Sequence, residues 1–293
     1  MYSDYSKKFM QLFSDVGEAP YLDGVDRTIP DTLWHYTSIS ALKSIIETKT
    51  LRLGHIRFMN DGAEFEYGSR ILREISIEDF SGSSEFFSLF QDILTMSTSA
   101  DVPVATPFIA SFCSKHDSLP HWQSYASGGR GVAIGFKREA FSKVPGFGIL
   151  PVMYGESNFK RAVRSIIEKI ADFCGDAKNN LDGGDYNLLL IDISVMFDAM
   201  CMTLKHNALE FENEFRLCNT DYYKKVNLCF TENSGIIKPH ILYNFNDISD
   251  AVDRIFVGPV GPQSLAYDGI KCFLDFKGLR TTKVEKFETP FRF

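Results

Sequence analysis

The chain has 293 residues, of which 44% are hydrophobic and 14% aromatic, so it can bury a large core and is not a disordered protein. Its formal net charge of −7 argues against a broadly basic nucleic-acid-binding protein. The six cysteines include no CxxC pair, and the sequence shows neither a secretory signal nor an apolar run suited to a membrane span. We therefore expect a cytoplasmic protein with free cysteines and no membrane partner.

The first predicted elements are a lead-in helix with a polar loop at residues 1–30 and a strand–helix–strand segment at residues 33–65. Residues 33–37 alternate with the two-residue period of a strand, and apolar residues at helical spacing follow, with Ser38 or Ser40 as the helix cap. Asn60-Asp61-Gly62 then predicts a turn. This order places His35 on a strand edge just before a helix start, where an imidazole and backbone donors would face the same ligand.

The later elements continue this mixture of helices and strands. Helices are predicted at 67–75, 85–96, 118–126 and 264–276, with a pair of long helices at 157–206 that is the candidate for an inserted subdomain. Strands are predicted at 108–114, 131–137, 149–155, 210–219, 236–245, 252–259 and 281–289. This order predicts a single α+β domain of residues 1–293 with a mixed, mostly antiparallel sheet. Neither a G-x-G-x-x-G turn nor a P-loop follows any strand.

The acidic segment EFENEFR contains the most conspicuous set of functional groups. Glu210, Glu212 and Glu214 are two residues apart, so on a strand all three would project from one face, with Arg216 continuing the row. One interpretation is an edge strand with a solvated acidic side. The other is a carboxylate placed to stabilise an oxocarbenium-like transition state or to act as a base.

Two further clusters carry polar and aromatic groups. Ser111 lies near the end of a predicted strand, and Trp122 and Tyr125 share one helix face on which they would stack against a flat ring. The alternative is that the serine caps an element and that the aromatic residues pack in the core.

Asn60, Asp61 and Glu64 would form a polar cluster beside the strand of His35, or Asp61 would cap the next helix. The histidines lack metal-ligand spacing, so we predict no metal site.

Four sequence blocks, in this order, resemble a widespread bacterial family of unknown function. They are His-Tyr-Thr at 35–37, Asn-Asp-x-x-Glu at 60–64, Ser-Phe leading to Leu-Pro-x-Trp-x-x-Tyr-Ala at 111–126, and Glu-x-Glu-x-Arg at 212–216. The resemblance covers roughly residues 33–260. It names a family and not an activity.

A more distant resemblance is to the ADP-ribosyltransferase fold. It is carried by the strand-borne His35, by the strand of Ser111 and by the late Glu-x-Glu at 212–214. The resemblance implies a split sheet around a cleft that binds NAD as the substrate. In that cleft His35 would hydrogen-bond a ribose hydroxyl, and Ser111 would take the place of the second motif.

The same resemblance implies the remaining roles at the NAD site. Trp122 or Tyr125 would stack on the nicotinamide, and Glu214 would stabilise the oxocarbenium ion as nicotinamide leaves. Glu212 would be the accessory carboxylate. Three further residues are expected to contact NAD: Tyr36, Thr37 and Arg216.

The leading hypothesis is therefore an NAD-dependent ADP-ribosyltransferase-like enzyme, a toxin or phage-defence effector that modifies a macromolecule or a nucleotide. A protein partner such as an antitoxin is compatible with that role. The second hypothesis is a non-catalytic module that senses a nucleotide or a protein in the same cleft. The third is a nuclease that holds a divalent cation with Asp61, Glu64 and Glu212.

Overall fold

A computed structural model of the protein describes residues 4–9, 28–59, 63–97, 108–142, 146–219, 227–233 and 235–289. The predicted lead-in segment is helical at residues 4–9, and its residues 10–27 lie outside the described part of the chain. The predicted Asn60-Asp61-Gly62 turn also lies outside it.

The described residues form the following elements. The strands are β1 (Thr32–Thr37), β2 (Thr50–His55), β3 (Phe108–Cys113), β4 (Val132–Lys137), β5 (Phe147–Pro151), β6 (Met153–Tyr154), β7 (Leu204–Lys205), β8 (Glu214–Asn219), β9 (Cys229–Asn233), β10 (Ile236–Asn244), β11 (Val252–Val257) and β12 (Lys283–Lys286). The α-helices are α1 (Ile39–Thr48), α2 (Ala63–Arg73), α3 (Ser84–Ser97), α4 (Leu119–Tyr125), α5 (Glu139–Ser142), α6 (Glu156–Asn180), α7 (Gly183–Cys201), α8 (Ile248–Ala251) and α9 (Gln263–Phe276). Short 3-10 helices span Ile56–Phe58, Ile77–Phe80 and Asn207–Glu212.

The chain divides into two compact units. The helical unit comprises Met1–Thr28, Ile56–Pro107 and Val152–Glu210. The sheet unit comprises Ile29–His55, Phe108–Pro151 and Phe211–Phe293. The predicted helical pair at 157–206 is present as α6 and α7, and both helices belong to the helical unit.

The helical unit has its own core, because α6 carries a continuous apolar stripe. Phe159, Val163 and Ile170 of that stripe are buried, as their spacing predicts. The next helix, α7, begins where the Asp182 carboxylate accepts a hydrogen bond from the backbone amide of Asp185. Packing is tight at Gly68, where a Cβ would lie 2.7 Å from the Cα of Cys201. Among the described residues no helix combines the length and the apolar content needed to cross a membrane.

The sheet unit confirms the predicted α+β class. Its strands follow the order β12-β11-β4-β1-β3-β2-β10-β9, while β8 pairs with both β3 and β5. The sheet is mixed because β11 and β12 are parallel, whereas the other pairs described in it are antiparallel. The main core lies on one face of the sheet, under residues from α1, α5, α8 and α9. A smaller aromatic core lies on the opposite face, under α4.

Strand β3 marks a division in this sheet. Along one edge it pairs with β8 from Ile109 to Cys113. Along the other edge it pairs with β2 only at Phe108 and Ile109, and with β1 only at Cys113. The strands β1 and β2 therefore separate beside the middle of β3, and we call this position the β3 fork.

Candidate functional site

The acidic segment is not one continuous strand. Glu212 ends a 3-10 helix, and Asn213 follows with a backbone φ of +44°, a left-handed conformation that asparagine tolerates better than most residues. Strand β8 begins only at Glu214, and Glu210 is exposed on the 3-10 helix. The predicted row of three carboxylates on one strand face is therefore wrong, because the turn at Asn213 separates Glu212 from Glu214.

On β8, Glu214 and Arg216 form a buried ion pair. Two residues apart on a strand, they share one face of the sheet. Arg216 donates from Nε to Glu214 Oε1 at 2.8 Å and from its Nη2 to Glu214 Oε2 at 3.0 Å. The two residues are only 4% and 2% exposed. Such a two-bond arrangement neutralises the carboxylate and fixes its orientation, so the charge of Glu214 is already compensated by its neighbour.

Glu212 has a different environment. The hydroxyl of Tyr125 donates a hydrogen bond to Glu212 Oε1 at 2.9 Å. Glu212 is 5% exposed, whereas Tyr125 is 39% exposed. The hydrogen bond therefore holds the buried carboxylate of Glu212 next to an aromatic ring that a ligand can reach. This pair combines an anion and a flat surface, which the sequence had suggested separately.

Trp122 lies on the buried side of α4 and does not reach the surface. Its exposure is 0%, its ring stacks on Phe287 with the centroids 5.1 Å apart, and it forms an edge-to-face contact with Tyr36 at 5.2 Å. The indole Nε1 donates to the backbone carbonyl of His116 at 3.0 Å. Both the ring and its polar atom are thus engaged in the fold. Of the two residues predicted to stack on the nicotinamide, only Tyr125 has a ring that a ligand can reach.

His35 lies at the β3 fork. Its Nδ1 is 3.0 Å from the backbone carbonyl of Ser111, and its ring contacts Phe112 at 5.6 Å. A carbonyl only accepts, so Nδ1 carries the proton and Nε2 of the neutral ring is left as an acceptor. Burial lowers the pKa of His35 below its ordinary value, and the neutral form prevails at pH 7.

His35 and the Glu214–Arg216 pair lie on opposite faces of the sheet. Along β1, His35 shares its face with Leu33 of the main core, while Trp34 and Tyr36 point into the aromatic core. Trp34 is opposite Cys113, which is opposite Glu214, so the carboxylate shares the face of Trp34.

Ser111 connects the two groups, because its backbone contacts His35 and its side chain lies on the other face. Its carbonyl binds His35. Its side chain is on the carboxylate face, because Ser111 is opposite Arg216 in the register.

Two further residues of β1, Tyr36 and Thr37, were predicted to contact NAD. The hydroxyl of Tyr36 donates to the carbonyl of Lys115 at 2.9 Å and accepts from the backbone amide of Ser118 at 3.3 Å. Burial raises the pKa of Tyr36, which keeps the hydroxyl protonated. Thr37 is half-buried at the end of β1, opposite Val132.

Sequence reasoning missed a short hydrogen bond between Ser118 Oγ and His121 Nδ1, at 2.7 Å. The signal was present as a serine three residues before a histidine at the start of α4, where the side chain of an N-cap residue reaches forward over the first turn.

The three residues of the predicted polar cluster lie wholly or partly outside the described part of the chain. Asn60 and Asp61 lie outside the described residues, as does the side chain of Glu64. Within the described part of the chain, no group of three or more His, Cys, Asp or Glu side chains is arranged to hold a metal ion.

The His35→Asn variant is expected to lose less stability at acid pH than the wild type. Because burial lowers the pKa of His35, the unfolded chain, with its pKa near about 6.5, binds the proton more readily than the folded chain. The contribution of His35 to the free energy of unfolding is fully present above about pH 6.5 and is lost as the pH falls towards the folded-state pKa. Asparagine keeps a donor for the Ser111 carbonyl but does not titrate.

This expectation is measured by urea unfolding at about pH 7.5 and about pH 5. A part of the acid-induced loss will remain in the variant, since the pKa of His240 is also lowered, first by burial and then by Arg52. An equal loss of stability in both proteins would contradict the expectation.

These features define an α+β protein with a buried carboxylate and a half-exposed tyrosine on one side of a divided sheet. Residues 121–217 match the model of a family described as a protein of unknown function (DUF2971). The match covers about a third of the chain and includes Trp122, Tyr125 and the Glu-x-Glu-x-Arg block, while the His-Tyr-Thr and Asn-Asp-x-x-Glu blocks lie outside it. No curated protein and no solved structure matches the chain, so the resemblance to the ADP-ribosyltransferase fold has no support from known structures.

Proposed function

We propose that the protein is an NAD-dependent ADP-ribosyltransferase-like enzyme that cleaves the nicotinamide N-glycosidic bond and transfers ADP-ribose to a macromolecule or a nucleotide. The observation that carries the proposal is the pair of Glu212, buried at 5% exposure, and the half-exposed Tyr125 that binds it at 2.9 Å. A toxin or phage-defence role is the biological form of the same proposal.

The chemistry requires few protein groups. The bond between ribose C1′ and the nicotinamide nitrogen breaks with its electron pair on nicotinamide, which leaves neutral while positive charge develops on the ribose. A fixed carboxylate in a site shielded from water stabilises that charge most effectively. Glu212 supplies the anion, and the ring of Tyr125 supplies a surface for the nicotinamide.

This proposal exchanges the roles of the two glutamates. Arg216 binds both carboxylate oxygens of Glu214, so the negative charge of Glu214 is already neutralised by a protein cation. Glu212 accepts a hydrogen bond from the hydroxyl of Tyr125, whose half-exposed ring offers a surface for the nicotinamide beside the carboxylate. We therefore assign the stabilising role to Glu212 and a positioning role to Glu214.

The role of His35 in the proposal is to anchor a ribose hydroxyl. The neutral imidazole leaves Nε2 as an acceptor at the β3 fork, where the ribose hydroxyl would donate to it. His35 lies on the sheet face opposite Glu214, so its role is tested by a separate variant. His35→Ala is expected to raise the KM for NAD more than it lowers kcat.

Replacing Glu212 with glutamine is expected to lower the rate of nicotinamide release from NAD by at least about a hundredfold, which corresponds to about 2.7 kcal/mol of lost transition-state stabilisation. Glutamine keeps the size of the side chain and an acceptor for Tyr125, so the change isolates the charge. The measurement is single-turnover and steady-state release of nicotinamide by purified protein, with and without cell lysate as the acceptor.

Glu210→Gln is the matched control, because it makes the same change two residues away on the same 3-10 helix, at an exposed position. Its rate is expected to equal that of the wild type. Label from NAD that remains on protein or on nucleic acid would identify the class of acceptor. Binding of NAD without release of nicotinamide would contradict the proposed enzymatic activity and support the sensing module. Absence of both NAD binding and nicotinamide release would contradict any NAD chemistry.

A further inference from the structure

A cavity of about 310 Å³ lies in the sheet unit between α9 and β12. Its walls come from the second half of α9, from the turn at residues 279–282 and from β12. Small-molecule pockets usually measure about 300–1,000 Å³. The cavity is therefore at the lower end of that range, and it suits a ligand no larger than a sugar phosphate.

One wall residue is a buried polar group without a partner. Thr282 is 8% exposed, and its Oγ1 has no hydrogen-bond partner among the described residues. Burying a hydroxyl without a hydrogen bond is unfavourable, and most buried polar atoms in folded proteins have a partner. Thr282 lines the cavity, so an acceptor atom of a ligand would satisfy this hydroxyl.

The same walls carry an excess of uncompensated positive charge. Lys271, Arg280 and Lys283 line the cavity, and none of them forms an ion pair with a described carboxylate. Of the two acidic wall residues, Glu285 lies 3.5 Å from Arg254, which leaves Asp275 as the opposing charge. The cavity is thus locally positive in a protein whose net charge is −7.

The end of α9 accounts for only part of this arrangement. The carboxyl end of a helix favours cations, which would explain lysines near residue 276. However, the carbonyls of Phe273, Leu274 and Asp275 in the last turn of α9 already accept hydrogen bonds from backbone amides. The helix end also provides no reason to bury the Thr282 hydroxyl.

We propose that this cavity binds the phosphate group of a small phosphate monoester. Arg280 and the two lysines supply charge and donors for the phosphate oxygens, with the planar guanidinium suited to two parallel hydrogen bonds. Thr282 donates its unpaired hydroxyl to a further oxygen. Tyr267, also in the wall, provides an apolar ring beside the rest of the ligand. The proposal does not rest on NAD cleavage.

The test is calorimetric titration with ribose 5-phosphate, inorganic phosphate and ribose at constant ionic strength. The wild type is expected to bind ribose 5-phosphate more tightly than inorganic phosphate and to leave ribose unbound. Combining Lys271→Gln with Arg280→Gln should weaken binding by at least about tenfold, as the loss of charge-assisted hydrogen bonds predicts. Lys277→Gln is the matched control, because Lys277 is outside the cavity walls and pairs with Glu47 at 3.3 Å.

Thr282→Val separates binding from folding. Valine has nearly the shape of threonine without the hydroxyl, so the melting temperature should stay equal or rise while the affinity for ribose 5-phosphate falls several-fold. Unchanged affinity in Thr282→Val, or equal losses in the Lys277→Gln control, would overturn the proposal. So would the absence of any binding of ribose 5-phosphate at about 10 mM, a concentration above the range of specific sites. None of these outcomes depends on nicotinamide release.

Discussion

Replacing Glu214 with glutamine is expected to reduce the free energy of unfolding by about 3–5 kcal/mol, because it removes the carboxylate charge that pairs with the buried guanidinium of Arg216. The two residues are 4% and 2% exposed and are joined by two hydrogen bonds of 2.8 and 3.0 Å. Removing one partner of such a pair costs the desolvation of the other. Urea unfolding at pH 7, followed by circular dichroism, measures the change.

The matched control for this prediction is the double variant Glu214→Leu, Arg216→Met. Replacing both partners of a buried ion pair by apolar residues of similar volume is often neutral or stabilising. We therefore expect the double variant to regain most of the stability lost in Glu214→Gln. A single variant as stable as the wild type, or a double variant less stable than the single one, would contradict the argument.

The stability of Glu214→Gln affects how its rate of nicotinamide release is interpreted. A loss of nicotinamide release in Glu214→Gln would accompany a loss of folded protein, so it would not by itself assign a catalytic role to Glu214. Glu212→Gln retains an acceptor for the hydroxyl of Tyr125, and its folded fraction is measured in the same way. Activity should therefore be normalised to the folded fraction of each variant.

Trp122→Ala is expected to lower the free energy of unfolding by about 3–5 kcal/mol, as for other large residues removed from a packed core. The indole is fully buried, contacts Tyr36 and Phe287, and binds the carbonyl of His116 at 3.0 Å. Alanine would leave a cavity and an unsatisfied carbonyl. Trp122→Phe should cost less, about 1–3 kcal/mol, because it keeps a ring and loses mainly the hydrogen bond.

Phe276→Ala is the control for the aromatic truncation, because Phe276 is 85% exposed. Its stability should lie within about 0.5 kcal/mol of the wild type. If Trp122→Ala were equally mild, the indole would not be part of the core, and its assignment as a stacking residue for the nicotinamide would return. Thermal unfolding of the three variants, with reversible transitions, decides between these outcomes.

Local patterns in the sequence predict much of the fold. The alternation in β1 and the apolar stripe of α6 gave the correct element types, because a single buried face imposes its period directly on the chain. The mixture of helices with neighbouring antiparallel strands likewise predicted the α+β class. The predicted strand at 210–219 was wrong at its start, since one left-handed residue, Asn213, changes the direction of the backbone without altering the polar pattern.

The residue pattern was sufficient to predict the type of most helices and strands and to identify the polar and aromatic groups available for chemistry. The folded chain gives these groups their partners: Arg216 for Glu214, Tyr125 for Glu212, and the Ser111 carbonyl for His35. It also decided that Trp122 faces inwards while Tyr125 stays half-exposed. Local patterns do not contain this information, because side-chain partners and burial depend on strand register and on which elements cover each face. The contacts join residues as far apart in the chain as 125 and 212.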